Sequence, residues 1–144
     1  MSFSIEYRVD ANALSIRAIA MSLKAFFAGI DAVADAASML ELAIAEGMNN
    51  VFEHAYDGRN QGYMRIVVQL EGKKLTVSIF DQGEEPNRER VSSIPFMTEF
   101  AEESPERDSL LCEGRGVYIM ETLMDSLDYQ RIGDENCLIM TKVF

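Results

Sequence analysis

Glu46, Asn50 and His54 recur at four-residue spacing in a stretch that otherwise has the composition of a helix, AEGMNNVFEHAY. On a helix this spacing places the three side chains on one stripe. An asparagine oxygen is a neutral, hard ligand suited to Mg²⁺, which takes its remaining ligands from phosphates and water. A glutamate one turn away could accept the proton of a hydroxyl or water that attacks a phosphoryl group. The alternative is a solvated polar face with no chemical role.

Helix propensity favours the functional interpretation. Asparagine costs up to about 0.7 kcal/mol relative to alanine inside a helix. Asn49 and Asn50 are adjacent here, and Gly47 precedes them by two positions. Places where local propensity conflicts with the surrounding structure tend to be functional sites.

Two further motifs combine a polar group with glycine. In FDQG, Asp81 follows a buried strand and can accept a hydrogen bond from an exocyclic amine, while Gly83 lets a flat ring approach the backbone. Asp-x-Gly is also a common turn sequence. In GRG, Gly114 and Gly116 open a helix, where exposed N–H groups and the helix dipole favour anions such as phosphates. Glycine at the start of a helix is ordinary as well.

Hydrophobic periodicity predicts the elements that must hold these motifs. Apolar residues alternate over residues 3–9, which predicts a strand, and Asp10 is a candidate cap for the helix that follows. That helix ends near Gly29, and a second helix runs from about residues 32–35 to about Ala55. We expect the polar stripe of the second helix to lie away from its apolar stripe. The apolar positions of the two helices are Ile16, Ile19, Leu23, Phe26, Phe27 and Ile30, and Leu40, Ile44, Met48, Val51, Phe52 and Ala55.

The second half of the chain begins with a predicted hairpin. Residues 63–70 and 74–80 have the pattern of strands, and Glu71-Gly72 is a plausible turn between them. Residues 84–113 then show no sustained period and many charges. A segment of this length inside a compact domain is usually functional or disordered.

The helix opened by Gly114 and Gly116 is followed by two predicted strands, at about residues 125–132 and 137–144, on either side of a GDEN turn. The order β, α, α, β, β, loop, α, β, β predicts an α+β fold. We expect a two-layer sandwich in which helices cover one face of a mixed, mostly antiparallel sheet. The apolar positions of the third helix are Val117, Met120, Leu123, Met124 and Leu127.

Composition bounds the function. The chain has 144 residues, 48% of them hydrophobic and 26% charged, which predicts one globular domain over residues 1–144. A net charge of −11 argues against direct binding to nucleic acid or to an anionic membrane, both of which need basic patches. It is compatible with a basic protein partner, although a solvated acidic surface is the simpler explanation.

Cys112, Cys137 and a single histidine form no zinc pattern. Two thiols and an N-terminus without the apolar run of a signal peptide favour the cytoplasm.

The order and spacing of the motifs resemble the GHKL-type ATP-binding fold, and within it the bacterial anti-sigma-factor serine/threonine kinases. That family pairs a helix of the form E-A-x-x-N-x-x-x-H-A-Y with a G-R-G-aromatic/aliphatic helix that ends L-M-D-x-x-x-Y. Here residues 46–56 read EGMNNVFEHAY and residues 114–129 read GRGVYIMETLMDSLDY. The resemblance covers nearly the whole chain.

The resemblance implies a role for each motif residue. Glu46 resembles the general base of phosphate transfer, Asn50 the Mg²⁺ ligand, and His54 a neighbour of the phosphates. Asp81 resembles the acceptor of the adenine amine, with Gly83 beside the ring. The remaining nucleotide-binding residues are implied at the start of the third helix: Gly114, Arg115, Gly116 and Val117.

The implied activity is that of a protein kinase that uses Mg²⁺ and ATP, phosphorylates a STAS-type antagonist protein, and sequesters a sigma factor or an analogous target in a partner-switching circuit. A homodimer is implied as well. Residues 84–113 would be the ATP lid, and we expect them to be poorly ordered without nucleotide because they have few apolar residues to offset the ordering entropy. Two alternatives stay open: a nucleotide-binding switch with little kinase activity, and a detached histidine-kinase-like ATPase domain. The second is disfavoured because the only histidine, His54, lies inside the nucleotide motif.

The chain departs from the family pattern at three places. Glu85 stands where a second glycine often follows Asp-x-Gly, and Glu113 stands where a glycine commonly precedes GRG. The family's final strand often carries a threonine near the adenine, and Asn136 or Cys137 takes that position here. These departures bear on nucleotide affinity and lid behaviour more than on the fold.

Overall fold

The computed structural model describes residues 1–58, 62–83 and 116–144. Several predicted features lie outside these residues: the ATP lid at 84–113 with Glu85 and Glu113, Cys112, and Gly114 and Arg115 of the GRG motif.

Five strands form one sheet in the order β1-β2-β3-β5-β4. All four pairings among these strands are antiparallel, so the described sheet is antiparallel rather than mixed. The hairpins β2–β3 and β4–β5 turn at Gly72 and Gly133, whose φ angles of 61° and 65° suit tight hairpin turns. The strands are β1 (Ser2–Asp10), β2 (Tyr63–Glu71), β3 (Lys74–Asp81), β4 (Ser126–Ile132) and β5 (Glu135–Val143).

Two helices connect β1 to β2. The first runs back along the sheet and the second returns, so β2 starts at the end where β1 stopped and runs antiparallel to it. Helix α1 spans Ala13–Ala28, and helix α2 spans Ala37–His54 after a short 3-10 turn. Lys24 near the end of α1 pairs with Glu41 near the start of α2, with 3.0 Å between Nζ and Oε2. The helices therefore form a hairpin that returns the chain to the end of the sheet where β1 stopped.

The cap of α1 is Asn12, not Asp10 as predicted. The Asn12 side chain accepts a hydrogen bond from the Ser15 amide at 2.8 Å, the geometry of an N-cap. Asp10 is still paired with Tyr63 in the sheet, so it lies too early in the chain to cap the helix. The predicted end of the helix at Gly29 is confirmed.

A third helix, α3, includes residues 116–123 and ends sooner than its apolar pattern predicts. Leu127 belongs to β4, where it pairs with Met140. Asp125 causes the change of direction, because its amide donates to the Thr141 carbonyl and its carboxylate accepts from the Val143 amide. The chain is thereby held against β5 before a further helical turn can form.

The core lies between the helices and one face of the sheet, and α2 packs closely on the sheet at Gly47. A Cβ atom added at Gly47 would lie 2.8 Å from the Ile79 side chain and 3.1 Å from that of Met140. Gly47 therefore lets α2 pack directly on β3 and β5, so its low helix propensity has a packing reason rather than a chemical one. None of the described helices is long and apolar enough to span a bilayer. The largest fully buried side chains are Phe27, Leu23, Leu40, Ile44, Met48, Met64, Ile66, Leu70, Leu75, Ile79, Met120 and Leu138.

Candidate active site

The polar stripe of α2 lies at the border of the core, not opposite it as predicted. Glu46, Asn50 and His54 are all partly buried. Their neighbours Gly47 and Val51 face the core, so the stripe has the core on one side and solvent on the other. This position differs from a solvated polar face, because Glu46 and Asn50 both meet residues from distant parts of the chain.

Glu46 meets α3 at Gly116, the first described residue of that helix. A Cβ atom added at Gly116 would lie 2.8 Å from Oε2 of Glu46. The absence of a side chain at Gly116 allows this close approach, because a Cβ atom there would require the end of the Glu46 side chain to shift. The fold thus brings together two motifs that the sequence separates by 70 positions.

Asn50 is held by Tyr129 of β4. Its Nδ2 donates to the Tyr129 hydroxyl at 2.7 Å, and an amide that donates through its nitrogen turns its oxygen away from that partner. Burial raises the pKa of Tyr129 to about 12, so the hydroxyl remains a neutral partner through the neutral pH range. Tyr129 is the last residue of the L-M-D-x-x-x-Y motif, but its contact with Asn50 was not predicted from the sequence.

Asp81, the last residue of β3, is 3% exposed. Its Oδ1 accepts two hydrogen bonds of 2.9 Å, from the Gly83 amide and from Nδ2 of Asn136. Its Oδ2 accepts none from residues 1–58, 62–83 and 116–144. Burial raises the pKa of the carboxyl group, while the two donors and the charge of Arg131 oppose that rise. A hydrogen-bond donor on a ligand would therefore find Oδ1 of Asp81 already occupied by two protein donors.

The strand register shows that Asn136, and not Cys137, lies beside Asp81. Asn136 pairs with Asp81, so the two side chains share the helix-facing side of the sheet, whereas Cys137 pairs with Phe80 on the other side. The final strand also begins at Glu135, two residues earlier than predicted, which places Asn136 inside it. Arg131 of β4 completes this cluster by donating from Nη1 to Oδ1 of Asn136 at 2.8 Å. No sequence signal singled out Arg131.

Gly83 is required by the end of α2. A Cβ atom added there would lie 2.6 Å from the carbonyl carbon of Ala55 and would overlap its oxygen. The predicted reason for this glycine was the approach of a flat ring, but the contact with Ala55 already demands it. Tyr56, the next residue, accepts from the Gln82 amide at 2.9 Å and donates to the Tyr63 carbonyl at 2.7 Å. The end of the α2 motif therefore fixes the turn that follows Asp81.

Two other predicted residues have less defined places. His54 is the last residue of α2 and is partly exposed, so its role beside the phosphates stays a prediction. Val117 is 4% exposed and its side chain belongs to the core. Any contact of Val117 with a nucleotide would therefore come from its backbone.

These contacts define a site with two ends. Asp81 lies beside the C-terminal end of α2, and Glu46 and Asn50 lie one to three turns further back along the helix. From Ala55 to Glu46 the helix rises by about 13 Å. One end offers an acceptor for an amine, and the other offers an amide oxygen, a carboxylate and the backbone of α3 at Gly116. An elongated ligand with a base at one end and phosphates at the other fits this donor set, and Mg²⁺ fits the amide oxygen beside the phosphate end.

The chain is similar to known proteins in sequence and in fold. The family model described as histidine kinase-like ATPase domain matches residues 9–142. The chain is 28% identical over 108 residues to an anti-sigma F factor of Clostridium beijerinckii, covering 75% of this chain and 71% of the relative. It is 30% identical over 107 residues to an anti-sigma F factor of Clostridium botulinum, with 74% and 70% covered. It is 28% identical over 126 residues to the serine-protein kinase RsbW of Staphylococcus aureus, with 85% and 76% covered.

Among solved structures, the fold is similar to that of the RsbU and RsbW domains of a Mycobacterium tuberculosis protein. The TM-score is 0.64 at 17% identity, and the match covers 98% of this chain and 32% of that one. At this identity the likeness shows the fold, an antiparallel sheet with helices on one face.

Proposed function

The chain belongs to the histidine kinase-like ATPase domain family, and on that premise we propose that it is an ATP-dependent protein serine/threonine kinase of the anti-sigma-factor type. Its substrate would be a STAS-type antagonist protein, and its regulated target a sigma factor or an analogous protein. Residues 1–144 would form one kinase domain that acts in the cytoplasm as a homodimer. The similarity to proteins named anti-sigma F factor and serine-protein kinase supports this reading.

The observation that carries the proposal is the approach of Gly116 to the Glu46 carboxylate, one helical turn from Asn50. A general base must lie beside the group that transfers and beside the metal that holds it. The start of α3 is a favourable place for phosphates, because its N–H groups and dipole attract anions. The carboxylate that lies against Gly116 is that of Glu46.

Each residue then has a distinct task. Asp81 accepts a hydrogen bond from the adenine amine through Oδ2, and Asn50 offers its amide oxygen to Mg²⁺. When bound, Mg²⁺ neutralises charge on the phosphate oxygens during transfer. Glu46 takes the proton of a serine or threonine hydroxyl as that oxygen forms its bond to the γ-phosphorus. The bond between the γ-phosphorus and the bridging oxygen breaks, and ADP keeps the electron pair.

The test is a single-turnover transfer reaction with γ-labelled ATP, Mg²⁺ and the STAS-type antagonist encoded by the same organism. We expect an acid-stable label on a serine or threonine of the antagonist. Asn50→Ala should weaken metal-dependent ATP binding and transfer together, because it removes the amide oxygen. Asn49→Ala is the matched control, since it makes the same change one residue away on a different side of the helix.

The possible outcomes distinguish the functions. Tight ATP binding without transfer to the antagonist would support a nucleotide-dependent switch instead of a kinase. An acid-labile label on a separate histidine-containing protein would support a detached histidine-kinase-like domain. Absence of ATP binding would refute the assignment of the site.

A further inference from the structure

We propose that Asn136 and Arg131 determine the base specificity of the nucleotide site, because they hold Asp81 so that a single oxygen, Oδ2, faces a 6-aminopurine. This inference rests on the proposed function and deepens it. Neither residue is assigned a direct contact with the base. Both are positioning residues that act through the Asp81 carboxylate.

The direction of each hydrogen bond in this cluster is set by chemistry. A guanidinium group only donates, so the end of the Asn136 amide that faces Arg131 at 2.8 Å must be its oxygen. The NH₂ end then faces two groups that accept, Oδ1 of Asp81 at 2.9 Å and the carbonyl of Gly83 at 3.3 Å. The orientation of the amide is therefore fixed from both sides.

Burial prevents this arrangement from relaxing. Asn136 and Asp81 are each 3% exposed. Rotating the Asn136 amide would place its oxygen against the Asp81 carboxylate and its NH₂ group against Arg131. The first contact would be repulsive, and the second would cost Asn136 the hydrogen bond from Arg131; buried polar groups left without partners are costly. The Gly83 amide adds a second donor to the same Oδ1 at 2.9 Å, so the two donors leave Oδ2 to meet the ligand.

A lone carboxylate oxygen of this kind selects one class of base. Adenine presents an amino group at its 6-position, which donates to Oδ2. Guanine and hypoxanthine present an oxygen there, which an acceptor repels. A threonine hydroxyl at this position could rotate and could both donate and accept. The Asn136 amide, held by Arg131, cannot follow a different base in that way, so we expect strict selection of the 6-amino group.

The experiment is calorimetric titration of the full chain with three triphosphates: ATP, purine riboside triphosphate, which lacks the 6-amino group, and inosine triphosphate. The variants are Asn136→Leu, which removes the amide at similar size, and Arg131→Met, which removes the donor at an exposed position. Arg17→Met is the control, because it removes the same charge from an exposed site on α1.

We expect the wild type to prefer ATP over purine riboside triphosphate by about ten- to hundredfold, the effect of one hydrogen bond to a charged group. Asn136→Leu should lose most of that preference, Arg131→Met should lose part of it, and Arg17→Met should keep it. Asn136→Thr should restore part of the preference for ATP over purine riboside triphosphate but discriminate less against inosine triphosphate.

Three results would overturn the inference. The first is wild-type preference in both Asn136→Leu and Arg131→Met. The second is an equal loss of affinity for ATP and purine riboside triphosphate, which would indicate general damage or a direct contact. The third is a wild type that binds both triphosphates equally. Absence of binding by the wild type to any triphosphate would instead refute the proposed function. If Asn136→Leu does not fold, Arg131→Met decides the question alone.

Discussion

Replacing Tyr129 by phenylalanine should weaken the affinity of the nucleotide site for Mg²⁺ while leaving the remaining contacts in place. The change removes one oxygen atom, the hydroxyl that accepts from Nδ2 of Asn50 at 2.7 Å. The ring stays, so the packing of β4 against α2 is kept. Without the hydroxyl, the Asn50 amide is no longer held with its oxygen directed away from β4.

The size of the effect follows from that single contact. A neutral hydrogen bond contributes about 0.5–1.5 kcal/mol net. At about 1.4 kcal/mol per tenfold change in an equilibrium constant, this corresponds to about a two- to tenfold weaker apparent affinity for Mg²⁺. The free energy of unfolding should fall by a similar amount. Because burial keeps the Tyr129 hydroxyl protonated, with a pKa of about 12, the effect should not vary across neutral pH.

The assay is a Mg²⁺ titration of ATP binding by wild type and Tyr129→Phe, with ATP binding in excess EDTA as the baseline. Tyr7→Phe is the matched control, since Tyr7 is a partly buried tyrosine on β1 at the opposite edge of the sheet. We expect the Mg²⁺ midpoint to rise only in Tyr129→Phe and the EDTA baseline to be equal in all three proteins. An unchanged midpoint, or an equal loss of affinity with and without Mg²⁺, would refute the role of Tyr129 in positioning Asn50.

Four further predictions concern the general base Glu46 and the Asp81 end of the site. Glu46→Gln keeps the shape of the side chain but removes its basicity, so single-turnover phosphate transfer should fall by about 10²–10⁴-fold with ATP binding nearly intact; transfer at the wild-type rate would remove Glu46 from the mechanism. In Asp81→Asn the donors of Gly83 and Asn136 should hold the new amide by its oxygen and turn its NH₂ group toward the base, so calorimetry should show weaker ATP binding and stronger inosine triphosphate binding in a folded protein. Because burial raises the pKa of Asp81, wild-type ATP affinity should fall on acidification at a pH above the usual aspartate range, and this acid limb should be absent in Asp81→Asn. Gly83→Ala should lower the free energy of unfolding by about 1–3 kcal/mol in denaturant titrations, since the added methyl group meets the backbone of Ala55, which cannot move aside as a side chain can.

Local sequence was sufficient for most of the fold. Alternating apolar residues predicted the strands, and the 3.6-residue period predicted α1 and α2, because a half-buried element must show its own periodicity in the chain. The element order, with helices on one face, is confirmed. The errors lay at the ends of elements, because strand pairing with distant residues determines where an element ends. Asp10 remained in the sheet, Leu127 became part of β4, and β5 began at Glu135. Leu127 fits both a helical and a strand pattern, so hydrophobic periodicity alone could not predict where α3 ends.

The candidate site divides in the same way. The spacing of Glu46 and Asn50 along one helix is visible in the sequence, because a helix converts four-residue spacing into a shared stripe. What those residues meet is decided only by the tertiary structure. Tyr129 lies 79 residues from Asn50, and Asn136 lies 55 residues from Asp81. Hydrogen bonds between side chains so far apart depend on strand register and on how closely α2 packs on the sheet. The sequence pattern alone does not specify the strand register or the closeness of this packing.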